Sequence, residues 1–214
     1  MAYARSNPYL HATWIPRYLT GDKSCLWACW FKANYQAFER MPSDFDVARW
    51  TMEHTDALNR LIADLEEQGC ELFIEHQNGF RVQSPRTGAV IGGRADLIAR
   101  FPDGRTVVYD VKTGQESASH IVQVQLYMYL LPKSNLVQWK GMAGKLEGAV
   151  VYAGGHEMNI PAESVDDAFE ARLVDFMQKM TSSVPPRRVP SVPECGFCEL
   201  TKGDCSERLE AMSA

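Results

Sequence analysis

No stretch of this chain stays apolar for the roughly 18–20 residues that a bilayer crossing needs. The opening "MAYARSNPYLHATW" has one Arg and lacks the apolar core of a secretory leader, so the expectation is a cytoplasmic protein with no membrane segment. Positive charge is not in excess: 22 Lys and Arg face 27 Asp and Glu, a net charge of −5. The broad basic footprint of many nucleic-acid binders is therefore missing. An acidic protein that holds metal ions nevertheless reverses its own local field at the site. Internal repeats and low-complexity tracts are absent, which sets solenoids and disordered scaffolds aside. What remains, 214 residues that are 45% apolar and 23% charged, suits one sizeable globular core.

Residues 22–40, "DKSCLWACWFKANYQAFER", have helical spacing and an aromatic density that reads as core packing. Residues 44–68 read as a long helix with Leu58, Leu61, Ile62 and Leu65 on one face, ended by Gly69. The period then changes to two. "CELFIEH", "GFRVQS", "AVIGGRADLIARF" and "RTVVYDVKTG" predict strands in an antiparallel meander, divided by Asn78-Gly79, Pro85–Gly88 and Pro102–Gly104. A helix over about 116–131 stops at Pro132, and "GAVVYAG" is a fifth strand. "SVDDAFEARLVDFMQKM" is an amphipathic helix with Ser164 as its N-cap. This order predicts an α/β or α+β fold with a central mixed sheet over residues 1–184. Residues 185–214 form a small proline- and cysteine-rich appendage that is too poor in periodic apolar residues to fold without a staple.

Asp96 stands among apolar neighbours in "GGRADLIARF", where an unpaired carboxylate is costly to bury. Gly92 and Gly93 before it permit a bend or a close approach. On the next strand Asp110 and Lys112 are two residues apart and share a side. A hairpin that brings Asp96 to Asp110 sets two carboxylates against each other, a cost that a divalent cation removes. Lys112 beside them is placed to orient an attacking water or to stabilise charge on a reacting phosphate. A second cluster lies at the far end. Cys195, Cys198 and Cys205 fall in the spacing C-x2-C-x6-C, which reads as a metal site. No Cys or His follows Cys205, so a fourth ligand must come from elsewhere, and Cys25 and Cys29 share a face of the first helix. Cys25 is favoured, because free amides and the positive helix end stabilise a thiolate there. Cys29 lies a turn deeper beside Trp30 and Phe31. Cys70 reads as a core thiol.

Asp96 followed by Asp110-x-Lys112 resembles the PD-(D/E)XK nuclease superfamily. Gln123 and Tyr127, in "SHIVQVQLYMYLLP", resemble the Gln-x-x-x-Tyr motif of RecB-like nucleases. The spacing recurs as Gln125 and Tyr129, but His120, Gln123 and Tyr127 share one helix face, which favours the first pair. His54 resembles the His that these families use as a further metal ligand. The tail cysteines resemble those of iron–sulfur RecB-like nucleases, including the CRISPR-associated exonucleases and AddB-type helicase–nucleases. The chain departs in having Asp110 where Glu is commoner, and in lacking "Cys-Pro-Arg" after its early cysteines; "Cys-Trp-Phe-Lys" from Cys29 keeps only an aromatic and a base. The resemblance implies a restriction-endonuclease-like core. It implies Mg2+ or Mn2+ on His54, Asp96, Asp110 and the Val111 carbonyl, with Gln123 and Tyr127 contacting the DNA backbone or orienting Lys112. It also implies a structural 4Fe–4S cluster on Cys25, Cys195, Cys198 and Cys205, with zinc as the alternative. The expected activity is an exonuclease on DNA with single-stranded ends, with a protein partner in a repair, recombination or CRISPR adaptation complex. A same-fold endonuclease, a subunit active only with a partner, and a non-catalytic DNA-binding adaptor remain open at this point.

Overall fold

A computed structural model describes residues 2–210; residues 211–214 of the predicted appendage lie outside them. In chain order the elements are β1 (Tyr3–Ala4), β2 (Tyr9–His11), α1 (Ile15–Leu19), α2 (Leu26–Asn34), β3 (Tyr35–Gln36), α3 (Val47–Glu67), β4 (Glu71–Ile74), β5 (Gly79–Gln83), β6 (Val90–Arg94), β7 (Leu97–Arg100), β8 (Thr106–Lys112), α4 (Ala118–Leu130), β9 (Leu146–Tyr152), β10 (Glu157–Ile160), α5 (Asp167–Met180) and α6 (Val192–Gly196). Five strands form the central sheet in the order β10-β9-β8-β7-β4. Within that sheet only β8 and β9 run parallel, with Asp110 opposite Val150, so the chain crosses between them through α4. The other pairs are antiparallel. The sheet is mixed and flanked by helices, as the sequence predicted.

Alternation along β8 builds the two layers. Val107, Tyr109 and Val111 pack with Leu97 and Ala99 against Leu58, Leu61 and Leu65 of α3. Val108 belongs to the larger core on the other face, with Val124, Leu126 and Tyr127 of α4 and Phe169, Leu173 and Phe176 of α5. Asp110 and Lys112 share the register of Val108 and therefore look toward α4. Gly148 lets that helix come close: a Cβ there would collide with Val124 Cγ1 and stand 2.8 Å from Met128 Sδ.

The structure corrects several expectations. "AVIGGRADLIARF" is two strands in two sheets. β6 joins β2 and β5 in a three-stranded sheet, and β7 joins the central one, with the break at Ala95-Asp96. Consequently β4 pairs with β7 rather than with β5, and there is no simple meander. At the break Gly93 lies under Phe80 and beside Ala12, 2.7 and 2.8 Å from where its Cβ would be, so the close approach expected of this glycine is real. The helix expected over 22–40 spans only Leu26–Asn34, with Cys25 as its N-cap residue and the short α1 before it. The α5 N-cap is Asp166, whose Oδ1 accepts from the Phe169 amide at 2.7 Å, rather than Ser164.

The tail packs on the start of the chain. Leu200 is fully buried in the larger core. The Met41 amide donates to the Glu199 carbonyl at 2.8 Å, and Lys32 pairs with Glu199 at 2.6 Å. Glu194 accepts from the Ser24 and Cys25 amides, each at 3.2 Å, and so satisfies donors at the α2 N-terminus from 170 residues away.

Candidate active site

The strand break explains how Asp96 comes to the site. Released from the β6 ladder, it sits just before β7, and its Oδ2 accepts the Val111 amide at 2.8 Å. Leu97 is the last β7 residue on that side, opposite Tyr109, so Val111 lies past the end of the ladder. The N–H and C=O of one strand residue face the same neighbour, which turns the Val111 carbonyl toward Asp96. From α3, His54 Nε2 approaches the same Asp96 oxygen at 3.3 Å, and Trp50 lies over His54 with ring centroids 5.1 Å apart. Asp110 is 2% exposed and pairs with Lys112 Nζ at 2.5 Å. Its Oδ1 accepts from Gln123 Nε2 at 2.9 Å. The other proton of that amide goes to the Tyr127 hydroxyl at 2.8 Å, and Gln123 Oε1 faces Lys112 Nζ at 3.4 Å.

The structure thus gathers His54, Asp96, Asp110, Val111, Lys112, Gln123 and Tyr127. It sends the competing pair elsewhere: Gln125 donates to the Ser164 carbonyl and Tyr129 to Glu170. Gln123 and Tyr127 are buried, Tyr127 to 1% exposure, beneath Asp110. Their position matches orientation of Asp110 and Lys112; Tyr127 has no surface for contact with a DNA backbone, whereas Gln123 borders the cavity beside Lys112.

Burial sets the electrostatics. Desolvation pushes the Asp110 carboxyl up to about 6, against the opposing pull of Lys112 and with the help of nearby Asp96. The hydrogen bond to Asp96 raises His54, against its own burial. Apart from its ion pair with Lys112, Asp110 Oδ2 has no polar partner among the described residues. A buried carboxylate oxygen so placed, beside a second carboxylate and an imidazole, is a donor set for a hard divalent cation. As they stand, no three His, Cys, Asp or Glu side chains among the described residues converge tightly enough to hold an ion.

The model of the PD-(D/E)XK nuclease superfamily matches residues 21–202. The chain belongs to that superfamily. Membership supports a nuclease. A comparison with curated proteins finds no match. Solved structures do match; one, the crystal structure of SSO0001, is 16% identical, covers 92% of this chain and 85% of that one, and has a TM-score of 0.41.

The cysteines of this PD-(D/E)XK chain separate by burial. Cys25, Cys195, Cys198 and Cys205 all line one cavity of about 300 Å3 between α1, α2 and the tail. Cys29 does not line it. It is fully buried in the larger core, and desolvation pushes its thiol up to about 12. Cys70 is half-buried against the smaller core. The long-range cap supplied by Glu194 was not foreseen, because nothing in the local sequence links residues 24 and 194.

Proposed function

We propose that the chain is a Mg2+- or Mn2+-dependent deoxyribonuclease of RecB-like type that degrades DNA from single-stranded ends. The observation that carries the reading is the buried Asp110–Lys112 pair, tied by one glutamine to α4 and adjoining the His54–Asp96 contact. His54, Asp96, Asp110 and the Val111 carbonyl would hold the metal. When bound, it lowers the pKa of a water and neutralises phosphate charge. Lys112 orients that water and stabilises charge on the reacting phosphate. Gln123, locked by Tyr127, fixes the carboxylate and the ammonium relative to each other.

A structural 4Fe–4S cluster on Cys25, Cys195, Cys198 and Cys205 completes the proposal. Four cysteines line one cavity, and no three of them converge on a point. That suits a cluster with a thiolate at each corner better than one zinc ion with bonds of about 2.3 Å. The cluster would staple the tail, as a module, to the core of residues 1–184.

The test is cleavage of end-labelled single- and double-stranded DNA in Mg2+, in Mn2+ and in chelator. Metal-dependent shortening from single-stranded ends is expected, with a loss of about a hundredfold or more in Lys112→Ala and Asp110→Asn. Near-normal cleavage by either variant removes this site from the chemistry. Internal cuts on circular single strands would convert the assignment to an endonuclease.

A further inference from the structure

A second cavity, of about 450 Å3, opens directly beside Lys112 and Gln123. That volume is within the roughly 300–1,000 Å3 of pockets that enclose a small ligand, far too small for a duplex. Beyond the two active-site residues it is lined by Arg17 of α1 and by Ser117, Ser119 and His120 at the start of α4. None of these carries out the chemistry described above.

Three details give the cavity a chemical character. Arg17 is exposed and its guanidinium has no ion pair or hydrogen bond among the described residues, although it lines the wall. The two acids on the wall are engaged: Glu116 pairs with His156 at 2.6 Å, and Asp22 faces the Ser117 hydroxyl at 3.4 Å. His120 Nδ1 contacts the Tyr152 hydroxyl at 3.0 Å. With the Tyr152 hydroxyl donating to Nδ1, the imidazole proton stands on Nε2 as a donor. A free guanidinium and an imidazole N–H, reached past an active-site lysine, form a recess that suits a phosphodiester anion.

We propose that this cavity is the subsite for a nucleic-acid phosphate next to the scissile one, bound by Arg17 and His120. The inference rests on the nuclease reading and extends it. The strand runs from the His54–Asp96 side over Lys112 into the recess, so one nucleotide beside the cut is gripped by its charge and not by its base. Sequence-tolerant cleavage of a single strand follows from that.

The experiment measures binding separately from cleavage. A fluorescein-labelled single-stranded oligonucleotide is titrated by anisotropy with the full-length protein, with Ca2+ replacing Mg2+, over a range of salt concentrations. Arg17→Gln should weaken binding about tenfold and lower the slope of log Kd against log salt by about 0.7, the value for one phosphate contact on a single strand. Arg17→Lys should keep the slope and recover part of the affinity, and His120→Ala should weaken binding severalfold with the slope unchanged. One neutral methylphosphonate, walked along the oligonucleotide, should cost wild type affinity at the position flanking the cut and cost Arg17→Gln clearly less there.

Unchanged affinity and slope in Arg17→Gln overturn the subsite, while metal-dependent cleavage by wild type leaves the nuclease reading intact. The Arg17 signature without any cleavage does the reverse. Absence of both binding and cleavage in wild type overturns both. Should Arg17→Gln fail to fold, the methylphosphonate scan on wild type decides alone, and a flat scan near the cut sinks the proposal.

Discussion

Gln123 is the residue on which the site turns. One amide proton holds Asp110 and the other goes to Tyr127, so neither is free and the side chain has one orientation. Tyr127→Phe removes the second acceptor and leaves a buried N–H unpaired. The expected cost is about 1 kcal/mol of stability. Because Tyr127 never reaches the surface, its loss should lower the maximal cleavage rate severalfold while the Kd for DNA stays at the wild-type value. A parallel rise in Kd would show that the tyrosine acts on DNA and not through the glutamine.

The element that delivers Gln123 is α4, and its seat on the sheet is set by β9. Gly148 leaves no room for a methyl group under Val124 and Met128. Gly148→Ala should therefore push α4 outward at a cost of about 1–3 kcal/mol, read as a lower melting temperature, and should reduce cleavage with it. A variant with wild-type melting and activity would show that the helix is not held at that distance. This scale also separates what was legible in the sequence from what was not. Local pattern was enough for α3, which buries one face, and for β8, α4 and β9, which are apolar runs bounded by glycine or proline. The spacing of Asp110, Lys112, Gln123 and Tyr127 was readable for the same reason. Ala95-Asp96 looked like the middle of one strand because apolar Leu97 and Ile98 continue the run that Val90 and Ile91 begin, and alternation cannot reveal that a strand changes sheets. The short β1, β2, β3 and β10 carry two to four residues each, too few for a pattern. Arg17 escaped notice because the five-residue α1 has no period of its own, and His120 stood out only as a neighbour of Gln123 and Tyr127 on one helix face until Tyr152 and the cavity wall stood beside it.

Across the whole molecule, the two ends of the chain form one structure. The thiol at Cys25 and those at Cys195, Cys198 and Cys205 line a common cavity, whereas Cys29 is sealed in the core. Protein purified without oxygen should be brown. Cys25→Ala should lose most of its iron and expose the tail to protease, and Cys29→Ala should keep its iron per chain. The opposite iron counts would move the fourth ligand one turn along α2, and colourless protein with stoichiometric zinc would replace the cluster. The cap from Glu194 to Ser24 and Cys25 spans 170 residues. At roughly 5–20 residues per second, a ribosome needs on the order of 10–30 s to make that interval. Throughout it, the aromatic face of α2 with Trp27, Trp30 and Phe31 stands without its lid. A cluster on the proposed cysteines would find one of its four thiols present during that interval, and its loading would have to follow translation.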